Sequence, residues 1–564
     1  MRAPQFVQLR LLFVTFGMAA AQFSSVPLQG QAAKSQQPLS AGAPSDKTPV
    51  FRSLSSVVTV NVVVTDRYNQ PVSNLQARDF TVLEDGRPQS IRYFEQHWPT
   101  DKEASVAPLQ LPPHQFTNFR DQYPTGVMNI VLFDMLNTPM MDQVYGRDQL
   151  LKFLRNIPQG QLVALFTLDS RLRMVQGFTD DPEKLLRAAN MVHPGMTTQM
   201  ASSEQQIRQQ EAEARSLGDL SGAHFAQALA DEESFRAGYR VEATVDAIAA
   251  LSRAVAGYAG RKNLLWLSAG FPLYVGPDVN LPDPMRNVVR YQAQVNRLGI
   301  ALASSEMAVY PIDVRGLVVN QLDASSRTDE TLRDMSWLWS SHDTMREIAN
   351  QTGGEAYYNT NGIREAMSRA ADRGSHYYSL AYVPENRQWN GKYRSIKVKV
   401  AKQSLKLQYR RGYMALPEQQ VAGDLALHLV SQAMQPGFPD STMLFMKVQV
   451  LPPDAEHPTV RIDYAIPAKF LTFRDIPGKG KIASVDFVAV AWDKKGAQAE
   501  LQAQGVDSPW RPESTRFGVA GHQEMRLKAG EYVLKIGAID LTSQKIGTVE
   551  VPLVVPATLT SDKF

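Results

Sequence analysis

Residues Val127–Pro139 read VMNIVLFDMLNTP, and the fold turns on this stretch. Val127–Phe133 is apolar apart from Asn129, and Ile130–Phe133 is an unbroken apolar run. A strand with one wet face alternates apolar and polar residues. A run without alternation suits a strand covered on both faces, as at the centre of a parallel sheet. The run stops at Asp134, and Asn137 and Thr138 follow. Beyond them Val144, Leu150, Leu151 and Leu154 are spaced by Asp148, Lys152 and Arg155 in a helical pattern. Strand, oxygen-rich turn and helix set these polar side chains at the carboxyl end of a central strand, where ligands sit in open α/β sheets.

The same pattern recurs downstream. Leu162–Phe166, Asn263–Leu267 and Ala308–Ile312 predict further buried strands, the last two ending at Ser268-Ala269-Gly270 and at Asp313. Arg173–Phe178 predicts a short edge strand. Asp181–Val192 predicts a helix with Asp181 as its cap and Pro182 in its first turn. Thr344–Thr352 predicts a helix capped by Asp343 and stopped by Gly353-Gly354; Glu355–Tyr358 is a last short strand and Ile363–Arg373 a last helix. Strands alternating with helices imply a doubly wound parallel sheet, here over 127–375. A helical insert fills 199–261. Its Ser202–Arg215 part is polar almost all round, a solvated helix, whereas the Ala-rich Val241–Val255 part packs on the sheet.

This α/β portion resembles a von Willebrand factor A (VWA) domain. More narrowly, the FDMLNT turn, the VNVVVTD…DFTVLEDG string (Val60–Gly86) and YYSLAYVP…GKYRSIKVKV…YRRGY resemble a bacterial exported VWA-related family. The resemblance implies a divalent-cation motif, Asp-x-Ser-x-Ser, at the end of the first strand. Asp134 and Thr138 match its first and fifth positions, but Leu136 stands at the third, with Asn137 one residue late. Thr197, with Thr198 as its rival, matches the second-loop threonine, and Ser268-Ala269-Gly270 replaces the third-loop Thr-Asp-Gly, so Ala269 stands where an aspartate belongs. The implied site is degenerate: Asp134, Asn137, Thr138, Thr197 and Ser268, holding magnesium or manganese weakly. The residues themselves also allow a simpler reading, in which Asp134 and Asn137 only hydrogen-bond and cap the loop.

Two β pieces flank this region. In 52–98, Val58, Val60, Val62 and Val64 alternate with their neighbours, Phe80–Leu83 and Ile91–Phe94 are strands, and Glu84-Asp85-Gly86 is a hairpin turn. In 376–415, Tyr378, Leu380 and Tyr382 alternate, as do Ile396, Val398 and Val400. Neither piece has enough strands for a sandwich, so the two are expected to form one, with the α/β domain inserted into it. Pro-rich 99–126 reads as a linker, 423–435 as a connecting helix, and 442–556 as a C-terminal immunoglobulin-like β domain. The expected fold class is therefore α/β plus all-β.

The chain has 564 residues, enough for several domains. The absence of cysteine excludes disulfides and thiol chemistry, and a net charge of +3 argues for neither nucleic acid nor an anionic membrane as partner. Arg2 and Arg10, the apolar Leu11–Ala21 and the small Ala19-Ala20-Ala21 read as a signal peptide over 1–21, followed by a disordered linker over 22–51. The mature chain is then expected to be secreted or periplasmic, with no membrane span after cleavage. Nucleophile elbows, phosphate loops and paired-histidine metal motifs are missing from the sequence. His193 reads as a loop histidine, Asp313 as a turn former, and Ser340-Ser341-His342-Asp343 as neighbours in sequence and not a triad. The Tyr377, Tyr378, Tyr382, Trp389 and Tyr393 cluster reads as sandwich packing in preference to a carbohydrate platform. The expectation is a non-enzymatic, adhesion-type protein that binds a protein or an envelope polymer. An extracytoplasmic hydrolase with dispersed catalytic groups and a purely structural envelope component stand as alternatives.

Overall fold

The computed structural model describes residues 57–98, 111–118, 128–157, 161–195, 220–258, 260–278, 281–317, 328–402, 404–415, 430–454, 457–476, 478, 480–510 and 518–556. Its centre is a five-stranded sheet. β6 (Met128–Asp134) lies between β7 (Leu162–Leu168) and β9 (Lys262–Ser268), and β9 pairs with β12 (Met307–Asp313); all three pairings are parallel. β8 (Leu172–Thr179) closes the far edge antiparallel to β7. Every residue of β6, β9 and β12 is buried. Helices on both faces explain this, and with it the lack of alternation in the sequence.

On one face, α1 (Met140–Leu154), α2 (Pro182–Asn190) and α6 (Ile363–Ser375) bury Leu150, Leu154, Leu185, Ile363 and Met367 against Val131, Phe133 and Leu265. α1 can come this close to the strands because Gly146 leaves no side chain there; a Cβ would lie 3.1 Å from Phe133 and 3.2 Å from Val314. On the other face, α3 (Leu220–Ala254), α4 (Gln292–Ser304) and α5 (Thr328–Thr352) bury Val241, Val245, Ile248, Val295, Leu298 and Ile348 against Ile130, Leu132, Leu264 and Trp266. Asp181 caps α2 by accepting the Glu183 and Lys184 amides, with Pro182 in the first turn.

β1 (Val58–Thr65) runs antiparallel to β13 (Tyr377–Tyr382) and to β15 (Lys406–Gln408), and β13 pairs in turn with β4 (Ile91–His97). A second sheet sets β14 (Tyr393–Val400) between β16 (Gly412–Met414) and β2 (Phe80–Glu84), and β2 forms a hairpin with β3 (Arg87–Gln89). Each sheet therefore takes strands from both sides of the α/β region in sequence. The inward residues Val60, Val62, Phe80, Val82, Tyr378, Leu380, Ile396 and Val398 share one core. At the β2–β3 turn Asp85 and Gly86 have φ of 48° and 81°, as a tight hairpin requires.

The C-terminal region has two more sheets. One runs β22 (Val519–Met525), β18 (Val460–Ile466), β17 (Lys447–Leu451), β5 (Gln115–Thr117). The other holds β19 (Arg474–Ile476), β20 (Gly480–Asp493), β21 (Gln498–Pro509), β23 (Gly530–Asp540) and β24 (Ile546–Val555). Val448, Ile462, Phe487, Leu534 and Val549 form the core between them.

Three expectations need correction. Segment 99–126 is not merely a linker: Gln115–Thr117 pairs with β17, and the Asn118 side chain donates to the carbonyls of Ser441 and Leu444 and accepts the Met446 amide. The Pro-rich flanks hide so short an edge strand. Asp343 does not cap a helix, because α5 begins at Thr328 and Asp343 lies inside it, paired with Arg346. Val144 of α1 is exposed and so is not part of its packed face. Ser202–Arg215, the signal segment 1–21, the 22–51 linker and most of 423–435 lie outside the described residues.

Candidate functional site

The carboxyl end of the sheet brings Asp134, Asn137, Thr138 and Ser268 together; Thr197 and Thr198 lie outside the described residues. Asp134 ends β6 and Ser268 ends β9, on neighbouring strands whose register puts Phe133 beside Leu267. Side chains in register on parallel strands share a face, so both point toward α3 and α5. Asp134 is wholly buried. Its Oδ2 accepts from Asn137 Nδ2 at 2.8 Å, Trp266 Nε1 at 3.1 Å and Ser268 Oγ at 2.8 Å. Its Oδ1 accepts the Asn137 amide at 3.1 Å. Burial pushes the carboxyl above the usual carboxylate range, and these donors offset only part of that push.

The hydroxyls are committed as well. Thr138 Oγ1 donates to the Asp134 carbonyl at 2.5 Å and accepts the Ala269 amide at 3.2 Å. Ser268 Oγ, besides donating to Asp134, accepts the Gly270 amide at 2.8 Å. Asn137 Nδ2 also donates to Thr244 Oγ1 on α3 at 2.6 Å. The C-terminal half of the long helix thus seals the turn from above.

Among the described residues, Asp134, Asn137, Thr138 and Ser268 do not as arranged fit the divalent cation that the VWA resemblance implies. A magnesium ion needs a near-octahedral set of oxygen lone pairs turned toward it. Here three hydrogens already converge on Asp134 Oδ2, and Leu136, at the third motif position, is buried in the core. Among the described residues no group of three or more His, Asp or Glu side chains is placed to hold a metal.

Sequence reasoning missed two partners in this cluster, Trp266 and Thr244. The Trp266 indole was legible in principle: it sits two residues before Ser268, hence on the same face of a buried strand, and a buried indole N–H needs an acceptor. Thr244, a hydroxyl inside an Ala-rich helix, carried no comparable signal.

A second polar group lies one strand over. Asp313 ends β12 opposite Ser268. It accepts from Arg315 Nε at 2.9 Å and Nη2 at 2.8 Å and lies 2.8 Å from His342 Nε2 on α5, whose ring stacks on Tyr358 at 4.3 Å. Burial pushes the Asp313 carboxyl up, but the His342 and Arg315 hydrogen bonds and the Arg315 charge outweigh it, leaving the group below its ordinary value. Asp313 is a turn former as expected, since it accepts the Arg315 amide, but it also clamps α5 to the sheet. Ser340, by contrast, exchanges hydrogen bonds with Tyr274, and Ser341 donates to the Trp337 carbonyl, so the Ser-Ser-His-Asp string does not converge. His193 is an exposed loop residue whose Nδ1 meets the Met191 carbonyl. Tyr378 and Tyr382 are buried in the β core, whereas Tyr377, on the other face of β13, is buried against His97 and accepts the Arg261 amide.

No family model and no curated protein matches this chain. Similar solved structures include an aerotolerance-related membrane protein from Bacteroides fragilis, 13% identical over 44% of this chain and 100% of that one, with a TM-score of 0.23. The vWF domain of the type V pili tip protein Mfa5 from Porphyromonas gingivalis is 10% identical over 44% of this chain and 94% of that one, TM-score 0.23. Proximal thread matrix protein 1 from the mussel byssus, with a zinc-occupied MIDAS motif, is 8% identical over 46% of this chain and 48% of that one, TM-score 0.22. VWA-domain proteins are thus among the structures this chain is similar to.

Proposed function

We propose that this chain is a non-enzymatic binding protein that presents the carboxyl-end rim of its α/β region to a protein or an envelope polymer outside the cytoplasm. One observation carries the reading. Around the sealed polar cluster stands a rim of large apolar side chains left in solvent: Met140 at 48% exposure, Met141 at 79%, Tyr274 at 37%, Leu317 at 52% and Trp339 at 57%. Met140 and Met141 open α1 just beyond the β6 turn, Tyr274 begins the short strand β10 (Tyr274–Val275) that follows β9 and pairs with β11 (Val289–Arg290), and Leu317 lies in the loop after β12. Trp339 adjoins Ser340, which is bonded to Tyr274. Phe235 and Tyr239 continue the exposed apolar surface along α3, ahead of Thr244. Grouped exposed apolar residues mark interaction sites, and methionine and aromatic side chains are the types enriched there.

In this reading the hydroxyls beneath the rim hold the rim loops in place, which supports binding over bond cleavage. The two β pieces that exchange strands form one sandwich into which the α/β region is inserted, and the C-terminal sheets form an immunoglobulin-like spacer. The N-terminal segment directs export.

The test uses the immobilised chain against solubilised envelope proteins and insoluble peptidoglycan, each compared with a Met141→Ser/Trp339→Ser double variant. The proposal expects retention of one class of material that the variant loses at unchanged thermal midpoint. Equal retention by the variant, or release of cleaved peptide or glycan, would refute it.

A further inference from the structure

β21 (Gln498–Pro509) is a long strand whose only hydrogen-bonded strand among the described residues is β20; β22 packs close to it without a backbone ladder. Which of its backbone groups remain free follows from a single hydrogen bond. The Trp510 amide donates to the Lys481 carbonyl at 2.7 Å, which continues the register that sets Ile482 opposite Pro509. In an antiparallel pair, successive residues turn their N–H and C=O alternately toward and away from the partner. Residues 504, 506 and 508 therefore face β20. Leu501, Ala503, Gly505 and Asp507 turn their N–H and C=O outward, as does Pro509, which has no N–H to leave unpaired. No backbone bond joins these outward groups to another segment among the described residues. From Leu501 to Asp507 the open ladder is about 20 Å long at about 3.3 Å per residue.

Edge strands of this length are normally guarded by lysine, by a central proline or by a cover. β21 has no lysine or arginine, and its one proline is the last residue. Its charges are Glu500 and Asp507, both acidic. Asp486 of β20 stands opposite Gly505, on the face that Gly505 shares with Asp507, and a Cβ on Gly505 would lie 3.1 Å from its Oδ1. Asp507 is held by the Ser484 hydroxyl at 2.6 Å, which fixes its carboxylate without neutralising it.

We propose that β21 takes an extended peptide segment rich in lysine or arginine as an added strand. The free ladder supplies main-chain hydrogen bonds, and Asp507 on one face of the strand and Glu500 on the other, the latter also accepting from Gln502, select basic side chains. A second copy of this chain suits the edge less well. Self-pairing would bring two copies of the same acidic strand together with no cation within it, and like charges across a sheet repel.

The probe is a blocked, fluorescein-labelled heptapeptide, Thr-Lys-Val-Lys-Val-Lys-Thr, titrated with the full chain and read by anisotropy. Saturable binding is expected. It should weaken at least about tenfold with Gly505→Pro, which removes an outward donor and leaves the β20 ladder intact, and with Asp507→Lys. Gly505→Ala should bind like the wild type. The same peptide N-methylated at alternate residues should not bind the unmodified chain, an arm that does not depend on any variant folding. Equal binding of the N-methylated peptide, or an unchanged Kd in Gly505→Pro, would reduce the effect to loose ionic adhesion and overturn the proposal. A dimer abolished by Gly505→Pro would overturn it in favour of self-pairing.

Discussion

The Ser268 hydroxyl reaches the Asp134 carboxylate at 2.8 Å across two neighbouring strand ends. Through that carboxylate, β6, β9, the turn before α1 and helix α3 are tied into one hydrogen-bonded cluster. The end of the sheet where α/β proteins place ligands is here a structural joint, and the exposed apolar rim is built around it.

Removing the carboxylate leaves the Trp266 indole, the Ser268 hydroxyl and the Asn137 amide without their acceptor in a site closed to water. An unsatisfied buried polar group costs about 1–3 kcal/mol. Asp134→Ala should therefore lower unfolding free energy by about 3 kcal/mol or more. Urea denaturation with an unchanged slope would measure it, and a loss below about 1 kcal/mol would mean that the cluster contributes little.

Since donors already fill Asp134 Oδ2, added magnesium or manganese should give the same heats with the wild type and with Asp134→Ala in titration calorimetry. A saturable wild-type signal that vanishes in the variant would restore the cation site.

The Asp313 carboxyl lies below its ordinary value in the folded chain because His342 and Arg315 favour its charged form. An unfolded aspartate titrates near about 3.9. The stabilisation is thus fully present above about pH 4 and is lost as the pH falls through the folded value. Asp313→Asn should make the chain less stable at pH 7 and flatten its loss of stability below about pH 4. Parallel curves for the two proteins would rule this linkage out.

Burial pushes the Lys262 ammonium down to about 8, against a weaker opposing pull from Glu306. Between about 8 and the unfolded value of 10.5 the unfolded chain holds a proton that the folded chain has released, so stability rises with pH across that window. Lys262→Met should abolish the rise and stabilise the chain at pH 7 by up to about 3 kcal/mol. A variant that keeps the wild-type slope would contradict this.

Glu84 on β2 accepts from Tyr382 at 2.8 Å, Tyr413 at 2.9 Å and Arg394 at 3.2 Å, all from the far side of the α/β region in sequence. Stripping one partner from a buried ion pair typically costs about 3–5 kcal/mol. Glu84→Ala should impose a loss of that size and speed hydrogen exchange in β13 and β14. Exchange confined to residues 58–97 would mean that the two β pieces do not unfold as one unit.

Much of this could be read from residue order. The apolar runs at Ile130–Phe133 and Leu264–Leu267 lack alternation because both of their faces are covered, so the buried sheet was visible in the sequence. The Asp181 cap and the Asp85-Gly86 turn were visible too, since each depends on the residue at one position and its immediate neighbours. The short strand Gln115–Thr117 was not, because three residues carry no periodicity and the strand exists only through its pairing with β17. His342 likewise showed nothing of its contact with Asp313, which lies 29 positions away.

The sequence by itself determined where β6 lies, that it ends in an oxygen-rich turn, and that Leu136 interrupts the cation motif, because local periodicity and side-chain type fix those features. Only the tertiary structure decided that Asp134 is filled by Trp266, Asn137 and Ser268, that α3 closes over it through Thr244, and that strands on either side of the α/β region share two sheets. Hydrogen bonds between distant segments depend on where packing brings them, and that is a property of the whole chain, not of any one stretch.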